Sequence, residues 1–206
     1  MNFAERWTAD WKALGPTLPD PDTLDSLLDA YRDPLRFYHT LQHLEECLNQ
    51  LDASALADET RGEVAIALWF HDSVYDSHAS DNEARSAAWA IEALRQAGHG
   101  GPTAARVQEL ILATRHLTAP QPGPEALMVD IDLAILGAPA TRFDEYDQQI
   151  RQEYAWVPAT EYREGRHRVL AGFLERPRIY STPSFLKRFE SQARINLKRA
   201  IARLEA

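Results

Sequence analysis

The chain is short of cysteine, of positive charge and of long apolar stretches. A single cysteine, Cys47, among 206 residues excludes an intrachain disulfide and suits a reducing compartment. The longest unbroken apolar run, Val64–Phe70, is seven residues, far too short to cross a bilayer. The opening Met1-Asn2-Phe3-Ala4-Glu5-Arg6 holds no apolar secretory core, so a cytoplasmic protein with no membrane partner is expected. Lys and Arg number 22 against 31 Asp and Glu, for a net charge of −9. Such a surface repels a phosphate backbone on average, and no nucleic-acid partner is expected. Alternating strand patterns and fixed-period repeats are also missing.

What is there reads as helix. Apolar residues make up 45% and charged residues 26% of the chain, enough for one sizeable core, and residues 1–206 are expected to form a single all-α domain. Asp22 can cap a segment in which Leu24, Leu27, Leu28 and Tyr31 repeat at helical spacing, and Pro34 breaks the pattern. A helix is expected from near Tyr38 past Leu51, with Leu41, Leu44, Cys47, Leu48 and Leu51 on its apolar side. Asp58 or Thr60 can start the next helix. Its core, Val64–Phe70, is apolar all round, as in a central buried helix. Tyr75 to Ser80 reads as a loop. Ser80 or Asp81 can cap a helix that stops at Gly98. Pro102 opens another towards His116, and Pro120–Pro124 is a loop. Further helices are expected at 125–136, 141–156, 160–174 and 183–204.

Three clusters could carry chemistry. His71-Asp72 follows the most buried-looking helix, where a carboxylate is costly unless it is paired or coordinates a metal. A core histidine beside a turn-capping aspartate accounts for the pair equally well. His39 and His43 lie four apart in Tyr38-His39-Thr40-Leu41-Gln42-His43; on one helix both imidazoles reach one site, although two surface histidines have the same spacing. Asp130 and Asp132 are interleaved with apolar residues in Met128–Leu136. Asp132, deeper in that stretch, has the stronger claim to be a ligand.

Taken together, the order His, then His-Asp, then Asp on separate helices resembles the HD superfamily of metal-dependent phosphohydrolases. So do Ala67–Asp76, Asn82-Glu83, Ala113–His116, Asp130–Gly137 and Ile150–Tyr154, which look like a bacterial subgroup known only as predicted HD phosphohydrolases. The likeness runs from about residue 30 to about residue 200. It implies an HD-type helical bundle, with core motifs over 38–154 and C-terminal helices over 160–204 packed on them. It also implies a divalent metal (Mn, Fe, Co, Ni, Zn or Mg) held by His43, His71, Asp72 and Asp132. Helical cyclic-nucleotide phosphodiesterases use the first histidine of such a pair to protonate the leaving group, which makes His39 the general-acid candidate, with the two roles open to exchange. The implied activity is hydrolysis of a phosphoester, of a nucleotide or small phosphorylated metabolite, by a metal-activated water.

Other residues have two readings each. Glu83 is a second acid/base candidate, or the partner of Ser80 in a capping box. Asp76 can orient a water or simply shape the loop. His116 can bind a second metal or a substrate phosphate, or serve as a cation at a helix C-terminus. Arg151 and Arg166 can clamp a phosphate, or pair with Glu153 and Glu161 or other acids. Lys187, Arg188, Arg194, Lys198, Arg199 and Arg203 form a basic face or a solvated helix surface. Trp69, Phe70 and Cys47 are read as core. Two rival functions share the ligand set: a nucleotide-binding regulatory module without turnover, and iron-dependent oxygen chemistry.

Overall fold

The longest apolar run becomes the innermost helix. In the computed structural model, which describes residues 1–54 and 58–205, Val64 to Phe70 are all fully buried. They form the C-terminal half of α4 (Asp58–Phe70). The residue that caps its start lies outside the described residues. Only helices are found among the described residues, so the chain is all-α.

The chain divides into two compact units, Met1–Ile131 and Asp132–Ala206. In the first, α4 packs against α1 (Phe3–Leu14), α3 (Leu41–Asp52), α5 (Asn82–Gln96) and α6 (Pro102–Ala113). A helix apolar on every side needs such neighbours all round. On the α1 side, Trp7 meets Trp11, Trp69 and Phe70 ring to ring, and the Trp69 indole N–H donates to Asp10 at 2.9 Å. Gly62 lets the two helices approach, because a Cβ there would meet Leu14 Cδ2 at 2.9 Å. On the α6 side, the buried Glu63 carboxylate accepts from both Nε and Nη2 of Arg106. The pairing matters because an unpaired carboxylate at that depth is strongly destabilising.

The expected helix at 22 is α2 (Asp22–Tyr31), though Pro21 and not Asp22 holds the cap position. The expected start near Tyr38 is corrected. Thr40 is the N-cap of α3, its Oγ1 accepting from Gln42 N–H at 3.3 Å. A hydroxyl that satisfies an orphan amide fixes the first turn there and leaves Tyr38 and His39 in the preceding turn. The Ser80–Glu83 capping box does not form, because Asp81 is the N-cap of α5. At the other end Gly98 adopts φ 77°. His99 N–H reaches Leu94 O at 2.8 Å and Gly98 N–H reaches Arg95 O at 3.1 Å, the double closure that a left-handed glycine permits. The helix expected over 125–136 is α7 (Pro124–Asp132), continued by a 3-10 helix, Leu133–Gly137.

The second unit holds that 3-10 helix, α8 (Ala140–Glu153), α9 (Ala159–Glu175) and α10 (Pro183–Glu205). Asn196 on α10 donates to Leu136 O and Ala138 O, both at 2.9 Å, satisfying carbonyls the 3-10 helix leaves open. Gly137 is required by this contact: a Cβ would lie 2.6 Å from Phe189 Cβ and 2.8 Å from Phe189 O. Arg199 and Arg203 both donate to Asp144, and Arg194 pairs with Glu190. Arg194, Arg199 and Arg203 are thus engaged by acids.

Candidate metal centre

The helix α4 ends on Phe70, and His71 and Asp72 form the turn that follows it. His71 is 1% exposed and its Nδ1 lies 2.8 Å from Leu68 O. A carbonyl can only accept, so Nδ1 carries a proton and Nε2 is the ring nitrogen that faces inward, a ligand atom in the neutral ring. His43 sits in the first turn of α3 at 2% exposure. Its Nε2 is 3.1 Å from His71 Nε2. Asp72 Oδ2 closes the triangle, 3.1 Å from His71 Nε2 and 3.4 Å from His43 Nε2.

These separations suit a shared cation. Bonds of about 2.1 Å put neighbouring donors about 3.0 Å apart at right angles and about 3.4 Å apart at tetrahedral angles. Burial pushes the Asp72 carboxyl up, but His71, His39 and His43 outweigh it and hold it well below the usual carboxylate range. A carboxylate kept ionised beside two inward imidazoles is a donor set for a divalent metal of borderline softness.

His43, Cys47 and His71 each offer a ligand atom, all within 4.8 Å of one another, as a buried group that could hold a metal ion. Cys47 follows His43 by one turn and so faces the same way. Its Sγ is 3.7 Å from both ring nitrogens of His43. Equal distances put the sulfur on the plane midway between the two nitrogens, off the Nε2 lone-pair line. A metal on that line lies well beyond a metal–sulfur bond of about 2.3 Å. The sulfur therefore packs on the His43 ring, consistent with the core role read from the sequence.

His39, although off the helix, stays beside the centre. Its ring centroid is 6.0 Å from that of His43, and it stacks on Tyr75 at 4.0 Å with an interplanar angle of 24°. Three neighbours escape the sequence reading. Tyr38 is buried, its ring 4.7 Å from His43. Tyr31 donates to Trp69 O at 3.2 Å, and burial pushes its hydroxyl up to about 12. Arg36, 8% exposed, donates to backbone carbonyls on both sides of the centre. No local signal marks a buried arginine in a loop; two of its partners, the Asp72 and Ser73 carbonyls, are distant in sequence.

The remaining sequence candidates have other engagements. Glu83, freed from a capping box, lies 3.7 Å from Arg115 Nε. His116 adopts φ 55° just after α6. Asp76 accepts from His78 N–H at 2.9 Å and shapes the loop, its backbone exchanging hydrogen bonds with Asn82. In the second unit, Arg151 donates to Tyr154 O at 2.6 Å and lies over the Tyr162 ring. Arg166 pairs with an acid, Asp147, at 2.9 Å. Asp130 is fully buried on α7, while Asp132, its last residue, is half-buried. Residues two apart on a helix point about 200° apart, so the two carboxylates address different surroundings.

No known protein-family model and no curated protein matches the chain. Among the described residues, no helix is long and apolar enough to cross a membrane.

Proposed function

We propose that the protein is a metal-dependent phosphohydrolase of the HD type, acting on a nucleotide or another small phosphorylated metabolite. The observation that carries this reading is the triangle of His43 Nε2, His71 Nε2 and Asp72 Oδ2, with sides of 3.1 to 3.4 Å in the first unit's interior. Asp132, at the end of α7, is the fourth ligand in this proposal, as the resemblance to HD proteins implies. A divalent ion bound there would supply Lewis acidity, acidify a water and offset phosphoryl charge. It also reverses the local field, so a net charge of −9 does not bar an anionic substrate.

In this reading the chain's own residues prepare the site. Leu68 O fixes the His71 tautomer and ring angle, as outer partners of ligand histidines do. His39, half-buried on the Tyr75 face, would deliver a proton to the leaving oxygen. Glu83, His116 and Arg151 are secondary candidates, Glu83 for proton transfer and the other two for holding phosphate.

The test is phosphate or nucleoside release from a panel of nucleotides and phosphomonoesters. The protein is stripped of metal and resupplied with Mn, Fe, Co, Ni, Zn or Mg in turn, beside Asp72→Ala. Metal-restored turnover that Asp72→Ala lacks supports the hydrolase. Silence from demonstrably metal-loaded protein across the panel rejects it in favour of a binding module.

A further inference from the structure

Arg36 joins two segments that meet only in the folded chain. Its Nη1 donates to Asp72 O at 2.6 Å and to His39 O at 3.4 Å, and its Nη2 donates to Ser73 O at 3.1 Å. The guanidinium also lies 5.4 Å from the Tyr31 ring centroid and 5.7 Å from that of Tyr75. Tyr75 in turn stacks on His39. One buried cation thus grips the backbone of a ligand residue, the backbone of the proton-donor candidate, and the ring that backs that donor.

We propose that Arg36 is the positioning residue of this centre, fixing Asp72 and His39 relative to each other through their backbone carbonyls and the Tyr75 face. This rests on the reading of His43, His71 and Asp72 as a metal site. A planar, forked donor suits the task, because it bridges carbonyls at fixed angles while its face packs on aromatic rings. Lysine can replace the charge but not the fork. The carbonyls of Asp72 and Ser73 fall where α4 has ended, so helix hydrogen bonding does not hold them. Without the guanidinium, the Asp72 carboxylate loses its fixed approach to His71 and His43.

The experiment measures affinity for Co2+ and Zn2+ alone, with no substrate, on wild type, Arg36→Lys, Arg36→Met and Arg106→Met. The last variant is the control for lost stability, since it removes the partner of the buried Glu63 carboxylate in the same unit away from these carbonyls. Loss of an outer partner of a metal site costs about 10- to 100-fold in affinity. That loss is expected for Arg36→Met, with partial recovery in Arg36→Lys and none of the loss in Arg106→Met. Side-chain NMR of the His39 ring gives a second readout, because the Tyr75 face shifts its protons. Both Arg36 variants should move those signals, whereas Arg106→Met should not. Where Arg36→Met fails to fold, Arg36→Lys carries both readouts. Metal affinity and His39 signals unchanged in the folded Arg36 variants would overturn the inference while leaving the metal site standing. Equal weakening in Arg106→Met would do the same. A wild type that binds neither ion removes the metal site itself, and the inference with it.

Discussion

Metal should raise the melting temperature of this protein by an amount set by its affinity for the donor triangle, and removing one corner should take away most of the rise. An ion that binds only the folded chain stabilises it by RT ln(1 + [L]/Kd), about 2.7 kcal/mol at one hundred times Kd. An unfolding entropy of about 2.1 cal/mol/K per residue gives about 0.43 kcal/mol/K for 206 residues. The expected shift is therefore about 6 °C. Asp72 supplies the oxygen that approaches both imidazoles at 3.1 and 3.4 Å. If Asp72→Ala weakens binding about 100-fold, the same free metal yields about 0.4 kcal/mol, a shift of about 1 °C. Thermal scans with a chelator, then with Mn, Co, Ni, Zn and Mg in turn, measure both proteins. Equal shifts in wild type and Asp72→Ala would mean that ions bind elsewhere on an acidic surface. No shift with any of these metals would refute the donor-triangle argument outright.

Three further outcomes follow from other parts of the molecule. Cys47→Val should leave metal affinity within a few-fold of wild type, since the sulfur lies off the His43 lone-pair line; a much larger loss would make the thiol a ligand. Gly137→Ala should destabilise the second unit by about 1 to 3 kcal/mol or more through overpacking against Phe189, measured by urea unfolding, and wild-type stability would overturn that packing argument. Burial raises the Asp10 carboxyl above its ordinary 3.8 despite Trp69 and Arg6. The folded chain then holds that proton more tightly than the unfolded one, so the Asp10 contribution is greatest below pH 3.8 and declines as pH rises through the raised value. Relative to Asp10→Asn, wild type should lose stability across this window in pH-dependent urea titrations; a gain would reverse the sign.

The helices were legible because their causes are local. Apolar spacing, the prolines near 21, 102, 139 and 158, and Gly98 sit in the sequence where the helices start and stop. The all-round apolar run Val64–Phe70 announced a buried helix, and His71-Asp72 at its end announced a costly polar pair. The meeting of His43, His71 and Asp72 was expected only through the family resemblance, because side chains on α3 and just after α4 are brought together by packing. Local pattern misplaced the start of α3, where the Thr40 cap outweighed the run of apolar residues. Between Ser80 and Asp81, both open as caps in the sequence, the fold selects Asp81. Arg36 and Tyr75 were invisible for a stricter reason. Their partners are backbone carbonyls and a ring face, which every sequence has in abundance, and only the tertiary fold decides which of them lies within reach.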